Sequence, residues 1–402
     1  MEFDSGIGAE MRRLLHLGRR KPGRPFTAAL LTAGAIGFAH VIAAPQICAS
    51  PASDVAAGTL LQTGPDDHLD PQLASTVGEA RRFVYRSTGL AGKPAVVSGV
   101  YLTPAGMKPR EGWPLIALGH GFAGMLEQCA PSADPSMYGS LPVVQRLIGR
   151  GWAVVMTDYQ GLGTPGPHPA LNTAVAGADI LDSIRAVRQL TSDIATTTTL
   201  LGISEGGHAA ESAAEMAPRY APELRLRALA LASPALDLAA MPDLIDQGRL
   251  TLSQEAGMPL VAAAVAASTD PSLPPTEVVH GVLAAGASTL LQCTTVDNPQ
   301  KAAIAALARP SDVSFSTPRA RTDFQTFLSD NALPRSPHTL PTFIARGSED
   351  TLILPEWTTA AVAHMRQLGT NVDDHVGPVD HNDPATADWA IDWVAQQLHN
   401  QS

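Results

Sequence analysis

Charge is scarce in this chain, and positive charge is scarcest. Of its 402 residues only 16% are charged, and 27 Lys and Arg against 38 Asp and Glu leave a formal net charge of −11. Without a basic excess, nucleic acid and anionic membrane surfaces are poor candidates for the main partner. Extended disorder is also excluded, because 45% of the residues are hydrophobic and supply ample material for a core. Cysteine is limited to Cys48, Cys129 and Cys293. No cluster of metal-ligand type is present; His168, His208, His280 and His364 stand isolated and read as structural or solvated residues. No internal repeat is found. The length admits one large α/β domain with an insertion, or two domains.

What positive charge there is gathers near the start. Arg12, Arg13, Arg19, Arg20, Lys21 and Arg24 precede an uncharged Ala/Leu-rich stretch over residues 26–44, and small residues follow through Ala49, Ser50 and Ala52. That is the pattern of a secretory signal, so residues 1–49 are expected to be a signal peptide cleaved after Ala49 or Ala52. The protein is then secreted or held in the cell envelope. The alternative is a retained anchor, but the stretch is near the lower length limit for spanning and contains His40. The residues around the two arginine pairs fit a twin-arginine signal poorly, and Met11 is an alternative start. Cys48 falls in or beside the removed segment. The remaining pair, Cys129 and Cys293, suggests a disulfide in an exported protein and two buried thiols otherwise.

Residues 50–75 read as an N-terminal arm rich in Ala, Ser, Asp, Gly and Pro. Residues 83–86 and 95–102 alternate as antiparallel strands do. From Trp113 the pattern changes to compact apolar runs, at residues 114–118, 152–156, 198–201, 226–231 and 342–345. Between the second and third of these, residues 174–190 carry Ile180, Ile184, Val187 and Leu190 at helical spacing. Short buried strands alternating with helices indicate a parallel, doubly wound sheet covered on both faces, mixed because a hairpin precedes it. More than a hundred residues separate the strand near 226–231 from the one near 342, far more than a crossover needs. Residues 241–330 are therefore an insertion, with core at 76–240 and 331–402. Its apolar, weakly charged helical stretches (258–267, 278–291, 302–307) read as a cap or lid; the plainer reading is a helical excursion with no role in access.

The most informative stretch is Gly202-Ile203-Ser204-Glu205-Gly206-Gly207. The run Thr196-Thr197-Thr198-Thr199-Leu200-Leu201 before it reads as a buried strand, and residues 208–217 after it are rich in helix formers. Strand, G-x-S-x-G, helix is the context of a nucleophile elbow, a turn that lifts Ser204 above the sheet with the N–H of Glu205 beside it. A serine hydroxyl needs a histidine base, itself held by a carboxylate, and both should come from the ends of later strands. Asp350, three residues past Gly347 and just after the strand at 342–345, suits the acid, with Glu349 its nearest rival; the alternative for Asp350 is an Asx turn or helix cap. His381 lies in the loop between a last strand at 371–379 and an amphipathic helix at 387–398, with Asp383-Pro384 as a helix start. His375 would sit within that strand. The developing oxyanion needs N–H donors: Glu205 supplies one, and Phe122 in the loop Gly119-His120-Gly121-Phe122 the other, with His120 bonded within that loop.

Together these motifs resemble the α/β-hydrolase superfamily and, within it, the secretory lipase family of actinobacteria and fungi. The resemblance spans roughly residues 75–400. It is carried by Gly119-His120-Gly121, Cys129-Ala130-Pro131-Ser132, the run from Thr157-Asp158-Tyr159 to Gly166, the Ser204 hexapeptide, Gly347-Ser348-Glu349-Asp350 and the His381 loop. It implies an α/β-hydrolase fold whose helical cap is inserted before the strand carrying the acid. It also implies a secreted enzyme needing no cofactor that hydrolyses ester bonds of acylglycerols or simpler esters. The expected partner is a small-molecule or lipid ester, with the cap as the candidate contact to a lipid interface. By the same resemblance Cys129 and Cys293 form the bridge from the oxyanion loop to the cap. Phe122-Ala123 departs from the small polar residues of many members, and a phenyl ring there narrows the acyl side. A serine peptidase or amidase on the same fold is a competing reading. So is a catalytically dead fold used for binding, against which an intact Ser204, Asp350 and His381 argue.

Overall fold

The computed structural model describes residues 55–269, 274–294 and 298–399; the expected signal peptide with Cys48 lies outside the described residues. Nine strands form one sheet: β1 Leu60–Pro65, β2 Val77–Thr88, β3 Pro94–Pro104, β4 Trp113–Gly119, β5 Ala153–Thr157, β6 Ile194–Ile203, β7 Arg225–Ala232, β8 Thr342–Gly347 and β9 Val372–Gly377. Their spatial order is β1-β2-β3-β5-β4-β6-β7-β8-β9. The β1–β2, β2–β3 and β3–β5 pairs are antiparallel and every pair from β5 to β9 is parallel. The fold is thus α/β with a mostly parallel sheet, as the strand pattern predicts. β1 comes from the stretch read as an arm.

The helices are α1 Pro71–Ala74, α2 Leu141–Gly149, α3 Thr173–Leu190, α4 Glu205–Tyr220, α5 Met241–Asp246, α6 Leu252–Ser268, α7 Gly281–Leu290, α8 Pro299–Leu307, α9 Pro318–Asp330, α10 Pro355–Leu368 and α11 Ala385–His399. Period-two alternation divides the core into two layers. Leu115, Ala117, Leu229 and Ile344 face a cluster with Ile180, Ile184 and Val187 of α3, the alanines of α4, and Val362 of α10. Ile116, Leu118, Ala230 and Ala345 face the opposite cluster, with Leu147 of α2 and Ile391 and Val394 of α11. Both faces are buried, so β5 and β8 have no exposed position. That is why these runs are continuously apolar rather than alternating.

Helices α5 to α9 fill the interval between β7 and β8 and share a third cluster, built on Met258, Val265, Leu283, Phe324 and Phe327. Thr251 and Gln254 close a capping box that fixes the start of α6. No helix among the described residues is long and apolar enough to cross a membrane. The carboxyl ends of β4, β6, β8 and β9 all open toward one edge of the sheet, where crevices of such folds bind ligands.

Candidate functional site

The turn after β6 is tight because two glycines make it so. A Cβ on Gly202 would come within 2.1 Å of the Gly206 carbonyl oxygen, and one on Gly206 within 2.0 Å of the Gly119 oxygen. Ser204 itself sits at φ 53°, ψ −115°, a conformation costly for a residue with a Cβ. Its N–H donates to the Ala232 carbonyl at 2.9 Å, which holds the strained turn against the end of β7. Gly206→Ala should therefore displace backbone rather than a side chain and cost about 1–3 kcal/mol of stability, read as a lower urea midpoint at unchanged slope.

Ser204 Oγ lies 2.9 Å from His381 Nε2, and His381 Nδ1 lies 2.8 Å from Asp350 Oδ2. The imidazole and carboxylate side chains are 8% and 4% exposed, so solvent does not compete for either bond. The second Asp350 oxygen accepts from the N–H groups of Leu352 and Ile353, both at 2.9 Å. Asp350 thus makes the Asx turn weighed as its alternative and the His381 contact at once. Gly347 allows the two loops to meet: a Cβ there would stand 2.0 Å from the Val379 oxygen. Glu349 is exposed. His375 lies in β9, with Trp389 edge-on at 4.4 Å and Phe343 at 6.4 Å.

The loop after β4 lies against the turn, with the Cβ position of Gly121 3.7 Å from Ser204 Cβ. His120 Nδ1 donates to the Gly121 carbonyl at 2.7 Å, a bond within the loop, and burial lowers its pKa. Glu205 opens α4, where the first N–H groups have no partner along the helix. Cys129 and Cys293 form a disulfide. Asp158 accepts from Ser98 Oγ, Ser132 Oγ and the Ser132 N–H at 2.6–2.8 Å, which ties the Cys129–Ser132 segment to β3.

Sequence reasoning treated His168 as isolated, and here the structure corrects it. Its Nε2 is 3.3 Å from Glu205 Oε1, and the two side chains are 3% and 9% exposed. Burial alone would lower the imidazole pKa and raise that of the carboxyl. The close contact between the two groups outweighs it, so His168 is raised and Glu205 lowered. The place of Glu205 at the start of α4 was legible in the motif; its side-chain partner, from a distant loop, was not. His208 and His280 each bond a main-chain carbonyl, of Asn331 and Ser314.

Above Ser204 opens a cavity of about 400 Å³, lined by Phe122, Leu171, Leu238, Leu260, Val261 and Ile353, among others. Its walls are nearly all apolar, with Ser204 at the base, and α6 and α8 contribute to them. Among the described residues no group of three or more His, Cys, Asp or Glu side chains converges as metal ligands would.

A sequence profile of the secretory lipases matches residues 138–402. A Mycobacterium tuberculosis protein named "probable inactive lipase" is 30% identical over 175 residues, covering 40% of this chain and 37% of the relative. Lipase 7 of Candida albicans is 31% identical over 135 residues, covering 31% of this chain and 30% of the relative. The matched segments thus span about a third of the length of these curated relatives. Among solved structures, the rice cell wall degrading esterase LipA of Xanthomonas oryzae is similar with a TM-score of 0.66 and 22% identity, over 87% of this chain and all of that one. Candida antarctica lipase A is similar with a TM-score of 0.66 and 18% identity, over 87% of this chain and 83% of that one. At these identities the likeness shows the fold alone.

Proposed function

The chain belongs to the secretory lipase family, and from that premise we propose that it cleaves carboxylic esters with Ser204 as nucleophile, His381 as base and Asp350 as the acid that orients the base. The observation that carries this reading is the unbroken relay of 2.9 and 2.8 Å from Ser204 through His381 to Asp350. In the proposed reaction Ser204 Oγ attacks the ester carbonyl carbon while its proton passes to His381 Nε2. Asp350 accepts from Nδ1, fixing the tautomer and stabilising the imidazolium. The N–H groups of Glu205 and Phe122 receive the oxyanion. His381 then protonates the departing alcohol, and water, activated by the same base, releases the acid from the acyl-enzyme. No cofactor takes part.

The apolar cavity suits an acyl group better than a peptide, which favours an ester over an amide substrate. Residues 241–330 act as the cap over that group, and export through the N-terminal signal fits a disulfide that persists only in an oxidising compartment. One relative's name raises the reading of an inactive fold. The intact relay argues for catalysis, since binding alone needs none of the three groups. A fluorophosphonate probe tests this: covalent labelling at Ser204 and turnover of p-nitrophenyl esters but not aminoacyl anilides are expected. An unlabelled, correctly folded protein would sink the proposal.

Phe122 lines the cavity beside Ser204, so its ring should limit acyl length. Phe122→Ala should shift preference along a series from acetate to palmitate, with longer esters gaining roughly tenfold relative to butyrate. The oxyanion donor, being backbone, stays. An unchanged profile would mean that the ring does not set the limit; uniform loss would mean that it holds the loop in place.

A further inference from the structure

Next to Ser204 in the chain a carboxylate is buried where it would oppose the chemistry proposed above. Glu205 is 7% exposed and belongs to the residue whose N–H is the proposed oxyanion donor. A full negative charge that close raises the energy of a developing oxyanion, and the low local dielectric magnifies the effect. His168, from the loop between β5 and α3, faces it. Its Nε2 lies 3.3 Å from Glu205 Oε1, and its Nδ1 lies 2.9 Å from the Gln160 carbonyl oxygen. Both ring nitrogens lie beside acceptor oxygens, an arrangement that favours the doubly protonated ring. Tyr159 stacks on it at 6.2 Å and 15°.

No other neighbour can do this work. His120, from the loop after β4, and His208, one turn along α4, each bond a single carbonyl, and burial lowers the pKa of both. Asp158, after β5, is held by Ser98 and Ser132; Asp179 of α3 by Ser87 Oγ and the Gln160 N–H. Burial pushes the Asp179 carboxyl up to about 7. Among these neighbours His168 is the one placed to carry the compensating charge.

We propose that His168 is a positioning residue for the oxyanion site: its cation cancels the Glu205 charge and holds the Glu205 peptide against the Ser204 turn. The inference rests on the ester-hydrolase reading. Loss of the His168 proton at alkaline pH leaves the carboxylate uncompensated, so kcat falls on an alkaline limb.

The test is a double-mutant cycle with full pH profiles. His168→Gln keeps a donor toward Glu205 and removes the charge; kcat should fall roughly ten- to a hundredfold with KM nearly unchanged, because the charge matters only once the oxyanion forms. Glu205→Gln should lose the alkaline limb. The double variant should recover most of the kcat lost in His168→Gln. A double variant no faster than the worse single one would overturn the proposal; a pair that served stability alone would be rescued in melting temperature but would show neither the selective loss of kcat nor the alkaline limb. Histidine NMR of Ser204→Ala protein reads the pair without turnover: the His168 ring should titrate above an ordinary histidine of pKa about 6.5. A titration midpoint at or below that value would also overturn the proposal. Wild-type protein without ester turnover would instead overturn the ester-hydrolase reading, leaving the NMR result to stand on its own.

Discussion

Ser204→Ala should abolish fluorophosphonate labelling and lower ester turnover by about three or more orders of magnitude. The hydroxyl forms the covalent bond, and nothing near it can take its place. The residual rate would come from substrate binding and the two proposed oxyanion donors. Stability should not fall with it. Ser204 holds φ 53° for a serine, and alanine meets the same backbone cost with one fewer polar group. Near-normal turnover with a normal melting transition would remove Ser204 from the mechanism.

His381→Ala should be comparably damaging, because the hydroxyl then has no acceptor within reach and the Asp350 charge is left without its ring. His375→Ala should change turnover less than about threefold. That ring packs against Trp389 and Phe343 on the outer strand, away from the relay. Steady-state rates on p-nitrophenyl butyrate for both variants decide it, and the reverse ranking would move the base to β9.

The difference between these two histidines was legible in the sequence because it depends on local signals. A strand, a loop and a helix start at Asp383-Pro384 put His381 at a strand end and His375 within the strand. The Ser204 turn was legible for the same reason: strand, glycines and helix are contiguous. β1 was not legible. Leu60–Pro65 lies at the sheet edge with Leu61 exposed, so it lacks an alternating pattern. Its position is set partly from outside, by Gln189 of α3, which accepts from the Leu60 N–H at 3.1 Å and donates to the Gly58 carbonyl at 2.6 Å. On α11, Trp393 stacks on Phe343 at 5.5 Å while Trp389, one turn earlier, meets His375 edge-on, and neither partner is marked in the local sequence. The His168–Glu205 pair escaped for a related reason. Neither residue has a local motif that signals its partner, and only the meeting of the β5–α3 loop with the start of α4 creates the pair. Periodicity and turn chemistry report on neighbours in the chain; partners brought together by tertiary contact leave no such mark.

Replacing Cys129 and Cys293 together with Ser should lower unfolding stability by about 4–5 kcal/mol, one of the larger losses available in this chain. The bridge joins residues separated by 164 in sequence, and closing so long a loop removes much of the freedom of the unfolded chain. Its position makes the consequence more than thermodynamic. The segment it anchors runs on from Phe122. There the Thr294 N–H donates to the Ala123 carbonyl at 2.8 Å and the Met125 N–H to the Leu291 carbonyl at 3.0 Å. These two bonds and the disulfide fasten the loop beside Ser204 to the end of α7. Gly124 accommodates the closeness, since a Cβ there would stand 2.5 Å from Cys129 Sγ. Without the covalent link the two hydrogen bonds alone must hold loop and helices in register, and the loop carrying the Phe122 N–H gains freedom. Turnover should then fall more steeply with temperature than in wild type, with the loss beginning below the global melting transition. Urea unfolding of oxidised and doubly substituted protein, alongside activity measured up the same temperature range, tests both parts. Equal stability would mean that strain in the folded state offsets the chain-entropy gain. A stability loss with activity and melting still falling together would mean that the bridge secures the fold as a whole rather than the oxyanion loop.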